Sequence, residues 1–112
     1  MADEIEKQKE IEQKLAASWY NFNSDYLWNF ERADNEGSKR LIVTDEIKPT
    51  PHVWYLYYNV TYVNEDNIFL DLWFVDYISK HRIKLLADNL LEIQNPPIDN
   101  ASNKKSITIH KV

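Results

Sequence analysis

The sequence predicts a mainly β fold, with one N-terminal helix followed by about eight antiparallel strands forming a small closed or nearly closed barrel. Three observations carry that expectation. The hydrophobic period changes from helical to alternating after Trp19. The segment 53–75 is dense in aromatic and β-branched residues and is broken once, by a polar turn. Clusters of Asn, Asp, Gly and Pro recur at strand-length intervals along the rest of the chain. An open sheet folded around the helix is the structural alternative, because a single glycine is few for a tightly curved barrel. Bends must then use bulges built from other residues, or closure stays incomplete.

Residues 3–17 read as the helix. At 100° per residue, Met1, Ile5, Ile11, Leu15, Ala16 and Trp19 share one arc, opposite Asp3, Glu6, Lys7, Glu10 and Lys14. Asp3, Glu4 and Glu6 suit the positive end of the helix dipole, and no Gly or Pro interrupts the run. Trp19–Phe22 is the first strand. Tyr26, Trp28 and Phe30 alternate with Asn29 and Glu31 as the second, and residues Ala33 to Gly37 turn the chain. Leu41–Val43 is a short β-branched strand that ends before Pro49 and Pro51. Val53–Val63 and Asn67–Val75 form a long hairpin. Ser79–Ala87, an Asp88-Asn89 turn and Leu90–Gln94 form a second one, and Ser106–His110 is the last strand after Pro96-Pro97 and a polar connection to Lys104. No repeat or second domain is visible, so residues 1–112 are expected to be one domain, a length that falls within the ~100–150 residues of most domains.

Composition narrows the classes of function. Lys and Arg number 13 against 18 Asp and Glu, for a net charge of −5, and an acidic chain lacks the basic field that nucleic acid or an anionic membrane requires. No apolar run approaches the ~20 residues of a membrane-spanning helix. Cysteine is absent, which removes disulfides, thiolate nucleophiles and cysteine metal sites together. The opening Met1-Ala2-Asp3-Glu4 is charged, with no apolar segment of a signal peptide, so a cytoplasmic chain or a processed exported protein is expected. Asn59-Val60-Thr61 and Asn100-Ala101-Ser102 match the glycosylation pattern, which is short enough to arise by chance.

One family resemblance emerges from the order of these segments. Leu15-Ala16-Ala17-Ser18-Trp19, then Trp28-Asn29-Phe30, a polar turn with Gly37, a long aromatic hairpin, and the segment from Ile83 through Asp88-Asn89 to Ile93 resemble the small bacterial lipocalin-like domains of the calycin group. The likeness runs over residues 15–112. It departs at Ala17, where that family usually has Gly before the Trp, and at Lys111, where larger lipocalins pack an arginine over that Trp. The resemblance implies an up-and-down barrel with an apolar mouth and names no ligand, since one fold hosts many functions.

The long hairpin holds the candidate residues. With Asn64 and Asn67 flanking a two-residue turn, Tyr58 lies opposite Trp73, Val60 opposite Asp71 and Tyr62 opposite Phe69. Trp54, Tyr58, Asp71 and Trp73 then share one face, and Tyr55, Tyr57, Leu70 and Leu72 share the other, so both faces are apolar. A turn of another length would exchange these partners. Asp71 stands alone in an apolar strand and needs a partner such as Arg82, His81, a Tyr hydroxyl, water or a ligand. Aromatic rings on strands are usually core packing, but rings with a few convergent polar groups also build a pocket. Catalytic signals are poor. His52, His81 and His110 lie in separate segments without metal-ligand spacing, no Gly-rich phosphate loop or G-x-S-x-G elbow exists, and an Asp71–His81 acid–base pair has nothing to fix its distance. Lys80, Arg82 and Lys84 share one strand face, either to grip an anion or, as the simpler reading, as the solvated side of an edge strand.

These readings converge on a non-enzymatic binding protein, without cofactor or metal, taking a small apolar or aromatic ligand in the barrel. Trp28, Trp54, Tyr58, Asp71 and Trp73 are its expected pocket residues, the rings stacking and Asp71 orienting a polar group. The alternative is a protein-interaction module, such as an inhibitor, immunity-type or sequestering protein. Its motive is that a barrel interior needs only one of the two apolar hairpin faces, and on that basis a homodimer through residues 53–75 is expected.

Overall fold

The computed structural model describes residues 2–46, 52–75, 77–96 and 105–112. A helix, α1 (Ala2–Leu15), precedes eight strands: β1 (Ser18–Asn21), β2 (Tyr26–Phe30), β3 (Arg40–Asp45), β4 (Val53–Asn64), β5 (Asn67–Phe74), β6 (Tyr77–Ala87), β7 (Leu90–Gln94) and β8 (Ser106–Lys111). Each strand pairs antiparallel with the next, and β1 closes on β8 through Trp19↔Lys111 and Tyr20↔His110. The barrel is therefore closed, and β6 is not an edge strand. Pro49, Pro51 and the polar connection from Pro97 to Lys104 lie outside the described residues.

Closure with one glycine is achieved by other means. The register slips by one between Tyr62 and Asn64 on β4, and again between Leu85 and Ala87 on β6, so each strand carries a bulge that tightens its twist. Left-handed backbone occurs at Asp25 (φ 60°), Val75 (φ 48°) and Asn95 (φ 50°) as well as at Gly37 (φ 83°). Asn and Asp tolerate that region, whereas a β-branched Val there is strained, which marks the turn after β5 as a costly one.

The helix ends at Leu15, two residues earlier than its charge pattern predicts. The Trp19 indole N–H donates to the Leu15 carbonyl at 3.0 Å, capping the last turn and bending Ala16 and Ala17 into β1. Among the described residues of the predicted apolar stripe, only Ile11 and Leu15 are buried helical residues, and Ile5 is 53% exposed. The reason lies in β4. That strand outruns β3, whose register stops at Arg40↔Tyr57, so the end of β4 has a strand neighbour on one side only. The helix covers this overhang, and Gln8 Oε1 accepts the Tyr62 backbone N–H at 3.2 Å. Glu12 and Lys39 add an ion pair at 2.9 Å with both side chains about one-fifth exposed. The helix thus covers the end of the barrel where β1 begins and β8 ends.

Inward-facing residues alternate along every strand. Trp19, Trp28, Phe30 and Tyr58 fill the interior with Leu41, Val43, Leu70, Leu72, Leu91, Ile93 and Ile109, all at most 1% exposed. Phe30 meets Tyr58 edge-on at 5.2 Å and stacks near Trp28 at 6.3 Å. Lys111 lies over the Trp19 ring at 5.0 Å, a cation–π contact that joins the last strand to the first.

Candidate binding site on the outer face

Register decides which hairpin residues can meet. The two-residue turn is present, with Asn64 opposite Asn67 around Glu65-Asp66. The bulge at Val63 then shifts every pair beyond it, so Tyr57 faces Trp73, Tyr58 faces Leu72 and Asn59 faces Asp71. The predicted pairs of Tyr58 with Trp73, Val60 with Asp71 and Tyr62 with Phe69 are corrected by that single extra residue, which exchanges the two faces of β5.

The five expected pocket residues consequently separate. Trp28 and Tyr58 are interior and closely packed. Trp54 also faces inward, half-buried at the end of the barrel away from the helix, stacked on Tyr26 at 5.7 Å, with the His52 ring tilted against it at 4.3 Å. Asp71 and Trp73 lie on the outside. Tyr57 and Leu72, which the two-residue register puts with neither of them, are respectively beside Trp73 and in the core.

Outer positions form rows across the sheet. Ile42 lies beside Tyr55; Arg40, Tyr57, Trp73 and Ile78 follow one another across β3 to β6; Asn59, Asp71 and Lys80 form the next row; and Thr61, Phe69 and Arg82 the one after. Tyr57 and Trp73 lie nearly parallel, 6.0 Å apart at 22°. They remain 38% and 37% exposed, and Tyr55 is 68% exposed. Ile78 and Val75 extend this apolar surface toward the end of the barrel remote from the helix, at 82% and 90% exposure.

Asp71 accepts a hydrogen bond from the Thr61 hydroxyl at 2.7 Å through Oδ2, and its Oδ1 has Lys80 Nζ at 3.8 Å, beyond hydrogen-bond distance. Lys80 and Arg82 both lie over the Phe69 ring, at 5.2 and 5.9 Å, and Arg82 also donates to Asn67 at 3.2 Å. These cations sit on Phe69 within a closed barrel, so guarding a sheet edge is not their role.

The connection 31–39 folds beside this face. Asp34 Oδ1 accepts the backbone N–H groups of Glu36 and Ser38 at 2.9 and 3.0 Å, and Gly37 supplies the left-handed turn between them. Lys39 Nζ donates to both Glu12 and Asn59 at 2.9 Å, and the Lys39 carbonyl accepts the Tyr58 N–H at 2.9 Å. A groove of about 310 Å³ remains between this loop and the Tyr57–Trp73 pair.

The end of the barrel away from the helix has a different character. Asn21, Asp45 and His81 are the buried polar residues among those described, at 2%, 3% and 5% exposure, and each faces inward near this end. His81 has Nδ1 at 3.2 Å from the Gln94 carbonyl and Nε2 at 2.7 Å from the Ser79 hydroxyl. With Nδ1 protonated, the ring donates to Gln94 and accepts from Ser79, so the neutral form is fully satisfied. His81 points inward and Asp71 outward, which rules out the acid–base pair.

Burial holds the His81 pKa below its ordinary 6.5, against weaker opposing effects of the Gln94 and Asn95 carbonyls and the Asp71 charge. A depressed folded-state value means that the unfolded chain protonates first as pH falls. The contribution of His81 to stability is therefore present above about pH 6.5 and is lost as pH drops below it. Thermal melts between about pH 7.5 and 5 are expected to show this loss, with a shallower slope in His81→Gln. Equal slopes in the two proteins would exclude His81 as its source.

Among the described residues no group of three or more His, Asp or Glu side chains is arranged to hold a metal ion. Among the same residues no helix is long and apolar enough to cross a membrane. In comparisons with known proteins, no family model, no curated protein and no solved structure matches the chain.

Proposed function

We propose that the chain is a non-enzymatic binding protein that takes its ligand on the outer face of β4 and β5, beside the loop 31–39. The contrast between two sets of aromatic rings carries this reading. Trp19, Trp28, Phe30 and Tyr58 are at most 1% exposed and pack on one another or on the aliphatic core, so a ligand among them must displace packed side chains. Tyr55, Tyr57 and Trp73 keep more than a third of their surface in water, on a rigid sheet and next to a formed groove. Solvent-facing rings on a fixed scaffold, with polar groups around them, are the material of a recognition site.

A second reading places a small apolar or aromatic ligand in the barrel end away from the helix. It is favoured by the stack of Tyr26 on Trp54, with the His52 ring tilted against Trp54, near Asp45. One experiment separates the two. Tryptophan fluorescence is titrated with a panel of small aromatic and hydroxylated compounds in wild type, Trp73→Phe and Trp54→Phe. A response lost only in Trp73→Phe supports the outer face, and one lost only in Trp54→Phe moves the site to the barrel end. A response that survives in both variants overturns both readings.

A further inference from the structure

We propose that the groove between the loop 31–39 and the Tyr57–Trp73 pair is a carbohydrate subsite that takes a neutral pyranose ring, as one unit of a polysaccharide chain. This rests on the outer-face reading above and adds the class of ligand. A pyranose has two kinds of surface. Its axial C–H groups make an apolar face that stacks on an aromatic ring, and its hydroxyls around the rim each both donate and accept hydrogen bonds. A matching site therefore combines an exposed ring with side chains of mixed donor and acceptor character, and needs no unpaired cation.

The groove has that combination. Tyr57 and Trp73 supply nearly parallel rings, stacked on each other across the strand register and each still more than a third exposed. Glu36, Ser38 and Asn59 line the same groove, contributing a carboxylate acceptor, a hydroxyl that donates and accepts, and an amide whose N–H₂ lies beside the oxygen held by Lys39. Lys39 is already neutralised by Glu12 at 2.9 Å, which argues for an uncharged hydroxylic ligand over a phosphate or carboxylate. The volume, about 310 Å³, sits at the low end of the ~300–1,000 Å³ of small-molecule sites and suits one sugar unit. The loop wall is preorganised by the Asp34 hydrogen bonds and the Lys39 anchor, so little ordering is left to be done on binding. The groove is open at the surface, as a site for one unit of a longer chain must be.

The test is electrophoresis of the full chain through native gels containing a soluble mixed-linkage β-glucan, a xylan or a galactomannan. Retardation in at least one of the three is expected relative to a gel without polysaccharide. It should fall at least tenfold in apparent affinity in Trp73→Ala and severalfold in Glu36→Gln, a loop change that touches no core residue. Ile5→Ser, an exposed change on α1 away from the groove, should migrate as wild type. No retardation in any gel overturns the carbohydrate assignment, as does retardation that Trp73→Ala leaves unchanged. Sedimentation at several concentrations then separates the two levels of the argument. A wild-type dimer that becomes monomeric in Trp73→Ala keeps the outer face as a binding surface and makes its occupant a second copy of the chain. A monomer in both proteins, together with no retardation and no fluorescence response lost in Trp73→Phe, removes the outer-face reading as well.

Discussion

Trp19→Ala is expected to destabilise the protein by ~3–5 kcal/mol, the range for removing a large aromatic side chain from a core. Trp19 is fully buried, so its loss opens a cavity that the surrounding strands, closed into a barrel, have little freedom to fill. Two further contacts go with the ring. Its N–H is the donor that holds the Leu15 carbonyl at 3.0 Å, and its face receives Lys111 at 5.0 Å. Trp19 thus ties the end of α1, the first strand and the last strand at the seam where the barrel closes. A domain of this size has ~5–15 kcal/mol in total, so the variant should melt at least ~10 °C lower or fail to fold. Trp19→Phe tests the parts separately. It keeps most of the ring and loses the N–H, and should cost ~1–3 kcal/mol, with the larger part of that appearing as fraying of α1 in far-UV circular dichroism. A melting temperature within ~2 °C of wild type for Trp19→Ala would show that the seam does not depend on this residue.

Tyr58 should give the second largest effect, with a dependence on pH that identifies it. The side chain is 1% exposed, packs edge-on against Phe30, and donates its hydroxyl to the Glu31 carbonyl at 2.7 Å. Tyr58→Ala is expected to cost ~3–5 kcal/mol through the cavity. Tyr58→Phe keeps the packing and should cost ~0.5–1.5 kcal/mol at neutral pH for the lost hydrogen bond. Burial, with smaller contributions from the Glu12 and Glu31 charges, pushes the Tyr58 pKa from 10.0 up to about 12. A raised folded-state value means that the unfolded chain loses its proton first as pH rises. The stabilisation is complete below pH ~10 and is lost progressively between ~10 and ~12. Denaturant melts across that window should fall more steeply in wild type than in Tyr58→Phe. Tyr20 is shifted upward as well by its hydrogen bond to Asp25, but it is present in both proteins, so the difference between them reports Tyr58. Parallel curves would mean that the Tyr58 hydroxyl ionises as readily in the folded protein as in the unfolded chain.

Local chemistry determined the element order of this protein. The alternation through Tyr26–Phe30, the Asn64-Glu65-Asp66-Asn67 turn and the Asp88-Asn89 turn are properties of residues adjacent in the chain and appear in the structure where their patterns predict, while the helical stripe forms a helix that stops two residues short, at Leu15. The count of strands and their antiparallel order follow from these short connections, and so does a barrel as the arrangement that leaves no strand edge uncovered. What the pattern could not decide was the register of β4 on β5. Both faces of that hairpin are apolar, so the usual signal, one polar face against one apolar face, was missing, and a single bulged residue at Val63 was enough to exchange them. That exchange sent Trp73 and Asp71 to the outside and Leu70 and Leu72 to the core, and it dispersed the pocket expected from Trp28, Trp54, Tyr58, Asp71 and Trp73. The groove itself depends on a loop 31–39 that reaches across to Asn59 and to α1 through Lys39. These contacts join residues 20 and 27 positions apart in the chain, and no local period records a contact of that span. Bulge placement and loop docking are settled by how well the closed barrel packs, a property of all eight strands at once.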